Sequence, residues 1–266
     1  MKFSTMQWIV PVVTQIVLDP ILIIGGGLGV RGAAWGTIGG QAVSAGLGVW
    51  FFLLQKRRPY VVRLRDLLPD RRLMTEIAAV GTPSLVAGLG ATGLLIVSNN
   101  LLAAMGGAVA LSAYAIASRV STFVVMPQLG LAQAMQPIVG YNHGFGRTDR
   151  SKRAASLSLR VSVLYGVGVA LLIALAARPI IGIFTDDAST IAAASTALRI
   201  ISLSYPLGGL VGLTAAWYQS LGRARPSFIL SVGTLLVVKL PVLLLLGIFG
   251  VPAIWWAFPV GEALAA

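Results

Sequence analysis

The stretch LDPILIIGGGLGVRGAAWGTIGGQA, residues 18–42, recurs near the end of the chain as KLPVLLLLGIFGVPAIWWAFPVGEA, residues 239–263. The identical positions include Pro20 and Pro241, Gly29 and Gly250, Trp35 and Trp256, and Gly40 and Gly261. Six apolar spans separate equivalent points of the two segments, so the sequence predicts a repeat of six spans with one orientation in the membrane. A chance similarity between two glycine-rich apolar hairpins is the alternative.

The composition excludes most water-soluble classes of protein. Of the 266 residues, 57% are hydrophobic and only 11% are charged, against about 25% charged residues in soluble domains. Apolar stretches long enough to cross a bilayer alternate with short basic or Gly/Pro-rich connections, which is typical of membrane-spanning helices rather than of a β-barrel. We therefore expect an all-α, polytopic membrane protein with seven spans and a truncated eighth. The predicted spans are 8–28, 30–54, 77–105, 108–139, 156–177, 189–220, 227–249 and 252 onward.

The net charge of +12 indicates membrane topology rather than nucleic-acid binding, because the basic residues lie in connections between apolar spans. The connections on one side hold Lys56, Arg57, Arg58, Arg63, Arg65, Arg71, Arg72, Arg147, Arg150, Lys152, Arg153, Arg223 and Arg225. Those on the other side hold only Arg31 and Arg178. The positive-inside rule predicts that the first side is cytoplasmic, in a multi-pass protein of the cell membrane.

The longest connection, residues 55–76, is also the most charged and is the candidate linker between two lobes. Its VVRLRDLL core could lie as an amphipathic segment on the inner membrane surface, or it could be an ordinary basic loop.

Residue types that carry enzyme or cofactor chemistry are scarce. The chain has no Cys and one His, His143, and no carboxylate pair sits beside a nucleophile at a catalytic spacing. We therefore expect neither an enzyme nor a bound cofactor.

Asp19 is the polar residue that most needs an explanation. It lies about eleven residues, or roughly 16 Å, into a predicted span, where a carboxylate costs about 2.5–3.5 kcal/mol. Gln15 lies on the same helical face, and Pro20 leaves the Ile16 carbonyl without its helical donor. Oxygen ligands of this kind suit Na+, or a proton carried on the acid. The alternative is that Asp19 satisfies polar groups in the packing without titrating in function.

Several motifs in this chain resemble the MATE family of multidrug and toxic compound extrusion transporters, over essentially its whole length. They are LDPILI and GVRGAAWGT within 18–37, VGTPSL at 80–85, AIASRVSTFVVMPQLGLAQAMQPIVGYNHG at 115–144 and ALRIISLSYPL at 197–207. The most specific is QPIVGYNHG, at the end of the fourth span.

The resemblance implies two six-helix lobes around a central cavity, exporting amphiphilic organic compounds in exchange for Na+ or H+. On that map residues 1–55 are the last two spans of the N-terminal lobe, 56–76 link the lobes, and 77–266 form a C-terminal lobe truncated in its last span. The first four spans would then be missing. The expected partners are membrane lipids and amphiphilic substrates, with no nucleic acid, and we expect a monomer.

The resemblance also implies a cation or proton site in the first lobe. The family builds it from an Asn, an Asp four residues later and a Thr on the next helix, which correspond here to Gln15, Asp19 and Thr37. Gln in place of Asn is a departure. The acids that some members carry in the second lobe have no counterpart at Ala91 or in the span 189–220.

The candidate substrate path rests on soft, amide and aromatic side chains that could adapt to varied amphiphiles. These residues are Gln133, Met135, Gln136, Tyr205 and Lys239. Ordinary helix packing is the alternative for the first four. Lys239 could face the cavity as a fixed cation, or it could snorkel or form a structural pair.

A flippase for lipid-linked saccharides, of the same broad superfamily, is the alternative function. Such proteins hold pyrophosphate with several Lys or Arg, and only Lys239 and Arg119 could do so here.

Overall fold

The computed structural model describes residues 2–54 and 69–266, which are helical apart from short connections and contain no strand. The helices are α1 (Lys2–Pro20), α2 (Val30–Val49), α3 (Arg71–Gly144), α4 (Thr148–Gly182), α5 (Ala188–Ser202), α6 (Tyr205–Ser220), α7 (Ala224–Phe228), α8 (Leu240–Gly247) and α9 (Val251–Ala265). Wider π-helical turns extend α1 through Ile21–Gly25 and α2 through Trp50–Leu54, and Ile229–Lys239 joins α7 to α8. The predicted all-α class is confirmed.

The chain divides into two compact units, Met1–Arg71 and Arg72–Ala266. Most of the predicted linker at 56–76, including its VVRLRDLL core, lies outside the described residues. The helix α3 begins at Arg71, so the last part of that predicted linker is already helical. The predicted lobe boundaries stay a prediction.

Five helices in the described ranges are long and apolar enough to cross a membrane, or six if α5 and α6, bent by 50° at their junction, form one span. The chain is therefore a multi-pass membrane protein. The eight predicted spans exceed six for two reasons: α3 covers two of them, and α9, with 15 residues, is shorter than a full span.

The helix α3 illustrates why one element can hold two spans. Its 74 residues would extend about 111 Å if straight, more than three times the hydrocarbon thickness. Gly107 interrupts it with φ 61° and ψ −155°. Ser98 and Tyr114, on either side of Gly107, line the same cavity, although they would be about 24 Å apart on a straight helix. The chain therefore reverses direction at Gly107.

Many large apolar side chains point outward, as expected for a lipid-facing surface. Ile24, in the π-helical turns after α1, is 80% exposed, and Leu175 of α4 is 85% exposed. Exposed apolar area of this extent would be unfavourable in water and costs nothing in hydrocarbon.

In the first unit, α1 and α2 form an antiparallel pair that we call the first hairpin, residues 2–54. Three glycines spaced by four, Gly32, Gly36 and Gly40, form one buried stripe of α2 against α1. A Cβ at Gly32 would lie 2.8 Å from the backbone carbonyl of Leu22. The two backbones therefore approach as closely as small residues allow.

In the second unit, α4 packs against α5 and α6, and α9 packs against α5 and α8. We call residues 224–265, from α7 to α9, the second hairpin. Gly250 precedes α9 with φ 97°, and its repeat equivalent Gly29 precedes α2 with φ 52°. This shared left-handed glycine at the start of the second helix agrees with the repeat predicted from the sequence.

Two charged side chains of the second unit have structural partners. Arg199 donates from Nε to the carbonyl of Ala174, at 3.1 Å, beside the break in α4 at Ala176. Asp187 caps α5 and accepts from the Thr190 amide and the Ser189 hydroxyl. The hydrogen bonds from Ser189 and Thr190 lower the pKa of Asp187 to about 2.

Candidate ion site and second-unit cavity

The first candidate site forms where α1 loses its regular hydrogen bonding. Pro20 ends the α-helical part of α1, and the chain continues in π-helical turns through Ile21–Gly25. Because Pro20 has no amide hydrogen, the carbonyl of Ile16 loses its helical donor directly beside Asp19. The local backbone thus lacks one regular helical hydrogen bond within the turn that contains Asp19.

The helix α2 accommodates this carboxylate by means of a glycine. A Cβ at Gly36 would lie 2.0 Å from Oδ1 of Asp19, so only glycine leaves room for the acid at this position. Oδ1 is buried and has no hydrogen-bond partner among the described residues. One turn earlier on α1, Gln15 donates from Nε2 to Oγ1 of Thr37 at 3.1 Å, and Thr37 donates to the carbonyl of Ala33.

The structure therefore brings Gln15 and Thr37 into direct contact and places Asp19 against Gly36, the neighbour of Thr37. A buried carboxylate oxygen without a donor is unfavourable unless a cation or a proton satisfies it. A carboxylate oxygen is a ligand type that suits Na+ or a proton. No group of three or more His, Cys, Asp or Glu side chains is positioned to hold a metal within the described ranges.

The second candidate site is a cavity of about 450 Å³ inside the second unit. Its walls are mostly apolar, and its charged lining residues are Lys239, at the end of the π-helical segment, and Glu262 on α9. The Lys239 ammonium donates to Oε1 of Glu262, and the two side chains are 28% and 16% exposed. Oε2 of Glu262 is buried without a partner in the described structure.

The same ion pair borders a second cavity of about 330 Å³, so it lies between the two spaces. The smaller cavity is more polar. Tyr205 Oη shares a hydrogen bond with Ser121 Oγ at 2.7 Å, and Gln128 donates to the Tyr205 carbonyl at 3.0 Å.

The predicted substrate-path residues fall into different environments. Tyr205 and Lys239 line the smaller cavity together. Met135 is only 2% exposed and packs in a buried cluster with Val139, Leu213 and Ala216. Gln133 is exposed.

Gln136 belongs to a chain of amides instead of a cavity wall. It donates to Gln219 Oε1 at 3.5 Å, and Gln219 donates to Ser84 Oγ at 3.0 Å. Of the five residues proposed for one path, the structure therefore joins two.

Three residues of these cavities were not predicted: Glu262, Tyr114 and Gln128. A signal for Glu262 did exist, because a lysine inside an apolar span needs a counter-charge and few acids are available in the following helix. Tyr114 and Gln128 carry no such signal, since aromatic and amide side chains are common in helix packing.

Comparison with known proteins agrees with this architecture. The chain is 28% identical over 257 residues to the multidrug export protein MepA of Staphylococcus haemolyticus, covering 95% of this chain and 55% of that protein. An outward-facing multidrug resistance MATE family transporter of the MOP superfamily superposes with a TM-score of 0.91 at 24% identity, covering 99% of this chain and 59% of that one.

A MOP superfamily transporter from Pyrococcus furiosus, described as having a binding pocket of reverse polarity, superposes with a TM-score of 0.88 at 25% identity. That alignment covers 98% of this chain and 59% of the archaeal one. The chain thus spans somewhat more than half the length of the relatives it matches. Those relatives are transporters and not enzymes, as predicted, and they have the helical two-lobe fold.

The MatE family model matches residues 83–245, which is more than half of the chain. Together with the motifs, the helical fold and these relatives, this match shows that the chain belongs to the MatE family of multidrug and toxic compound extrusion transporters.

Proposed function

We propose that this protein exports amphiphilic organic compounds across the cell membrane in exchange for Na+ or H+, with Asp19 as the coupling carboxylate. The observation that carries the proposal is the buried Oδ1 of Asp19, which has no partner among the described residues and lies beside the Gln15–Thr37 pair. The staphylococcal relative is named as a multidrug export protein, and this similarity supports export of organic compounds as the function.

The first unit supplies what an exchangeable ion site requires. A carboxylate deep in a span is unfavourable when it is ionised and alone, so the folded state gains when a cation or a proton binds. Antiport needs a site that binds the ion in one conformation and releases it in another. Close packing between Gly36 and Asp19 makes the carboxylate environment sensitive to small shifts of α1 against α2.

The second unit supplies an apolar space for an amphiphile. Its larger cavity has aliphatic walls with aromatic rings from Tyr114 and Phe258, whose ring centroids lie 5.8 Å apart. Its volume falls within the usual range for pockets that take drug-sized molecules, about 300–1,000 Å³.

A lipid-linked saccharide flippase is less well supported. Such an activity needs several free cations for pyrophosphate, but the Lys239 ammonium is paired with Glu262. The other candidate, Arg119, is an exposed residue of α3 and lines neither of the two cavities.

The test is Asp19→Asn, which keeps the shape of the side chain and removes its charge. We expect loss of at least about tenfold in dye efflux driven by an imposed Na+ or H+ gradient, because an amide neither titrates nor neutralises a cation. Efflux is measured in cells or vesicles that contain the full-length protein, with protein amount and melting temperature measured in parallel.

Asp186→Asn is the matched control, since it makes the same chemical change at an exposed acid between α4 and α5. Parental efflux by Asp19→Asn under both gradients would show that Asp19 is not the coupling residue. Accumulation of lipid-linked saccharide precursors without a change in dye efflux would favour the flippase.

A further inference from the structure

The two hairpins each place one carboxylate on an apolar helix, and among the described residues only one of these carboxylates has a counter-charge. In the first hairpin, Asp19 has no cationic partner among the described residues, and its Oδ1 has no hydrogen bond. In the second hairpin, Glu262 accepts a hydrogen bond from the Lys239 ammonium. An isolated carboxylate in a span is costly, and an opposite charge in contact offsets most of this cost.

From this difference we infer that the Glu262 carboxylate is a monovalent-cation site whose occupant is the ammonium of Lys239. Lys239 supplies this positive charge from a side chain of the protein itself. The first hairpin takes the corresponding charge from solution, as Na+ or H+. The second hairpin therefore carries its own neutralising charge and exchanges no ion of its own.

The surroundings of the pair support this assignment. Among the residues that line the two adjoining cavities, Lys239 and Glu262 are the charged ones, and Tyr114 and Tyr205 are the other titratable ones. Among the described residues, no second cation lines either cavity to neutralise Glu262 if Lys239 were removed. A cation or proton from solution would then have to replace the ammonium.

The position of Lys239 also fits a built-in occupant. Its side chain passes over Gly261 of α9, where an added Cβ would lie 3.5 Å from Cγ of Lys239. The lysine stem is thus packed between the helices, and the ammonium is directed to the carboxylate one residue further along α9. A snorkelling lysine would instead extend its ammonium toward the membrane surface.

The site itself does not depend on the proposed function of Asp19. The consequence for transport does: if Asp19 is the coupling acid, this protein couples one ion per cycle because its second buried carboxylate is already neutralised.

The experiment counts cations bound by the purified 266-residue chain in detergent, in an Asp19→Asn background that removes the contribution of the first hairpin. Protons taken up between about pH 8 and about pH 5 are measured with an indicator dye, and Na+ bound at the higher pH is measured by equilibrium dialysis with radioactive sodium. We expect Lys239→Met to bind about one more proton or Na+ per chain than its Asp19→Asn parent.

Two further variants keep the inference falsifiable even if Lys239→Met does not fold. The neutral pair Lys239→Met with Glu262→Gln, and the exchanged pair Lys239→Glu with Glu262→Lys, should both bind the same number of cations as the parent. The inference is wrong if folded Lys239→Met gains no cation, or if the neutral pair loses a cation that the parent binds. The difference between the parent with and without Asp19→Asn tests the coupling proposal separately.

Discussion

The first hairpin carries its buried acid on the first helix, at Asp19, whereas the second carries a lysine on the first helix and an acid on the second, at Lys239 and Glu262. The sequence repeat aligns Lys239 with Leu18 and Glu262 with Gln41, so the charged positions are not copies of each other. The two hairpins share a sequence repeat but place their carboxylates at different positions of it, and only the second supplies a lysine as the counter-charge.

The glycine pattern differs between the two hairpins at the residues that face their charged side chains. The stripe Gly32, Gly36 and Gly40 corresponds in the repeat to Ala253, Ala257 and Gly261. In the first hairpin the missing side chain of Gly36 accommodates the Asp19 carboxylate. In the second, a methyl group occupies that equivalent position, and Gly261 faces the stem of Lys239 at a distance where an added Cβ would make only ordinary van der Waals contact.

The prolines shared by the repeat also have different local consequences. The π-helical turns follow Pro20 in the first hairpin and precede Pro241 in the second. A proline removes one helical hydrogen bond, and widened turns are one way for the neighbouring backbone to adjust. The turns that adjoin the acid in one hairpin lead directly to the lysine in the other.

The largest effect should come from breaking the ion pair. Glu262→Gln leaves the Lys239 ammonium without its counter-charge in an apolar cavity. We expect the free energy of unfolding to fall by about 3 kcal/mol. This value is at the low end for a buried pair because Lys239 is partly exposed. Unfolding by SDS in mixed micelles measures this change.

The control for that prediction is the double variant Glu262→Gln with Lys239→Met, which has no unpaired charge and should lie within about 1 kcal/mol of the parent. Equal destabilisation of the single and double variants would mean that the loss comes from packing and not from charge.

A smaller effect is expected from adding a methyl group to the close contact of the first hairpin. Gly32→Ala makes this position like Ala253 of the second hairpin, but its Cβ would lie 2.8 Å from the Leu22 backbone. Because backbone cannot move aside as a flexible side chain can, we expect a loss of about 2 kcal/mol in the same unfolding assay.

Gly46→Ala is the matched control on the same helix, because nothing lies within 4 Å of the added Cβ. It should leave stability unchanged or raise it by up to about 1 kcal/mol through helix propensity. If Gly32→Ala and Gly46→Ala behave alike, the two helices do not pack as closely as described.

The smallest effect should come from transferring the charge pair to the first hairpin. Leu18→Lys with Gln41→Glu places the two charges at the repeat positions of Lys239 and Glu262. Gln41 is exposed, so a glutamate there is not held against residue 18 and the two long side chains lose entropy when they pair, and a double-mutant cycle should give a coupling of only about 0.5 kcal/mol. A coupling indistinguishable from zero would show that the repeat does not preserve the relative geometry of these positions.

Much of the fold could be predicted because insertion into a membrane depends on local composition. Each apolar stretch crosses the bilayer by satisfying its own backbone, so the spans, the hairpin repeat and the exposed apolar faces follow from hydropathy and spacing alone. The family resemblance implies an ion site formed by Gln15, Asp19 and Thr37, which stays a prediction, and in the structure Gln15 donates to Thr37. Asp19 can be identified from the sequence because the cost of placing a carboxylate in an apolar span depends on that one helix alone.

The partnerships between helices could not be predicted in the same way. Lys239 and Glu262 lie on different helices, Gln128 and Tyr205 lie 77 residues apart, and neither pair is marked by a spacing along one element. Whether such residues meet depends on how each helix is rotated and how closely its neighbour approaches, which side-chain packing across the interface decides. Hydropathy thus identified the charges that needed partners, and only the packing of α9 against the π-helical segment and α8 decided that one of them would be neutralised from within the chain.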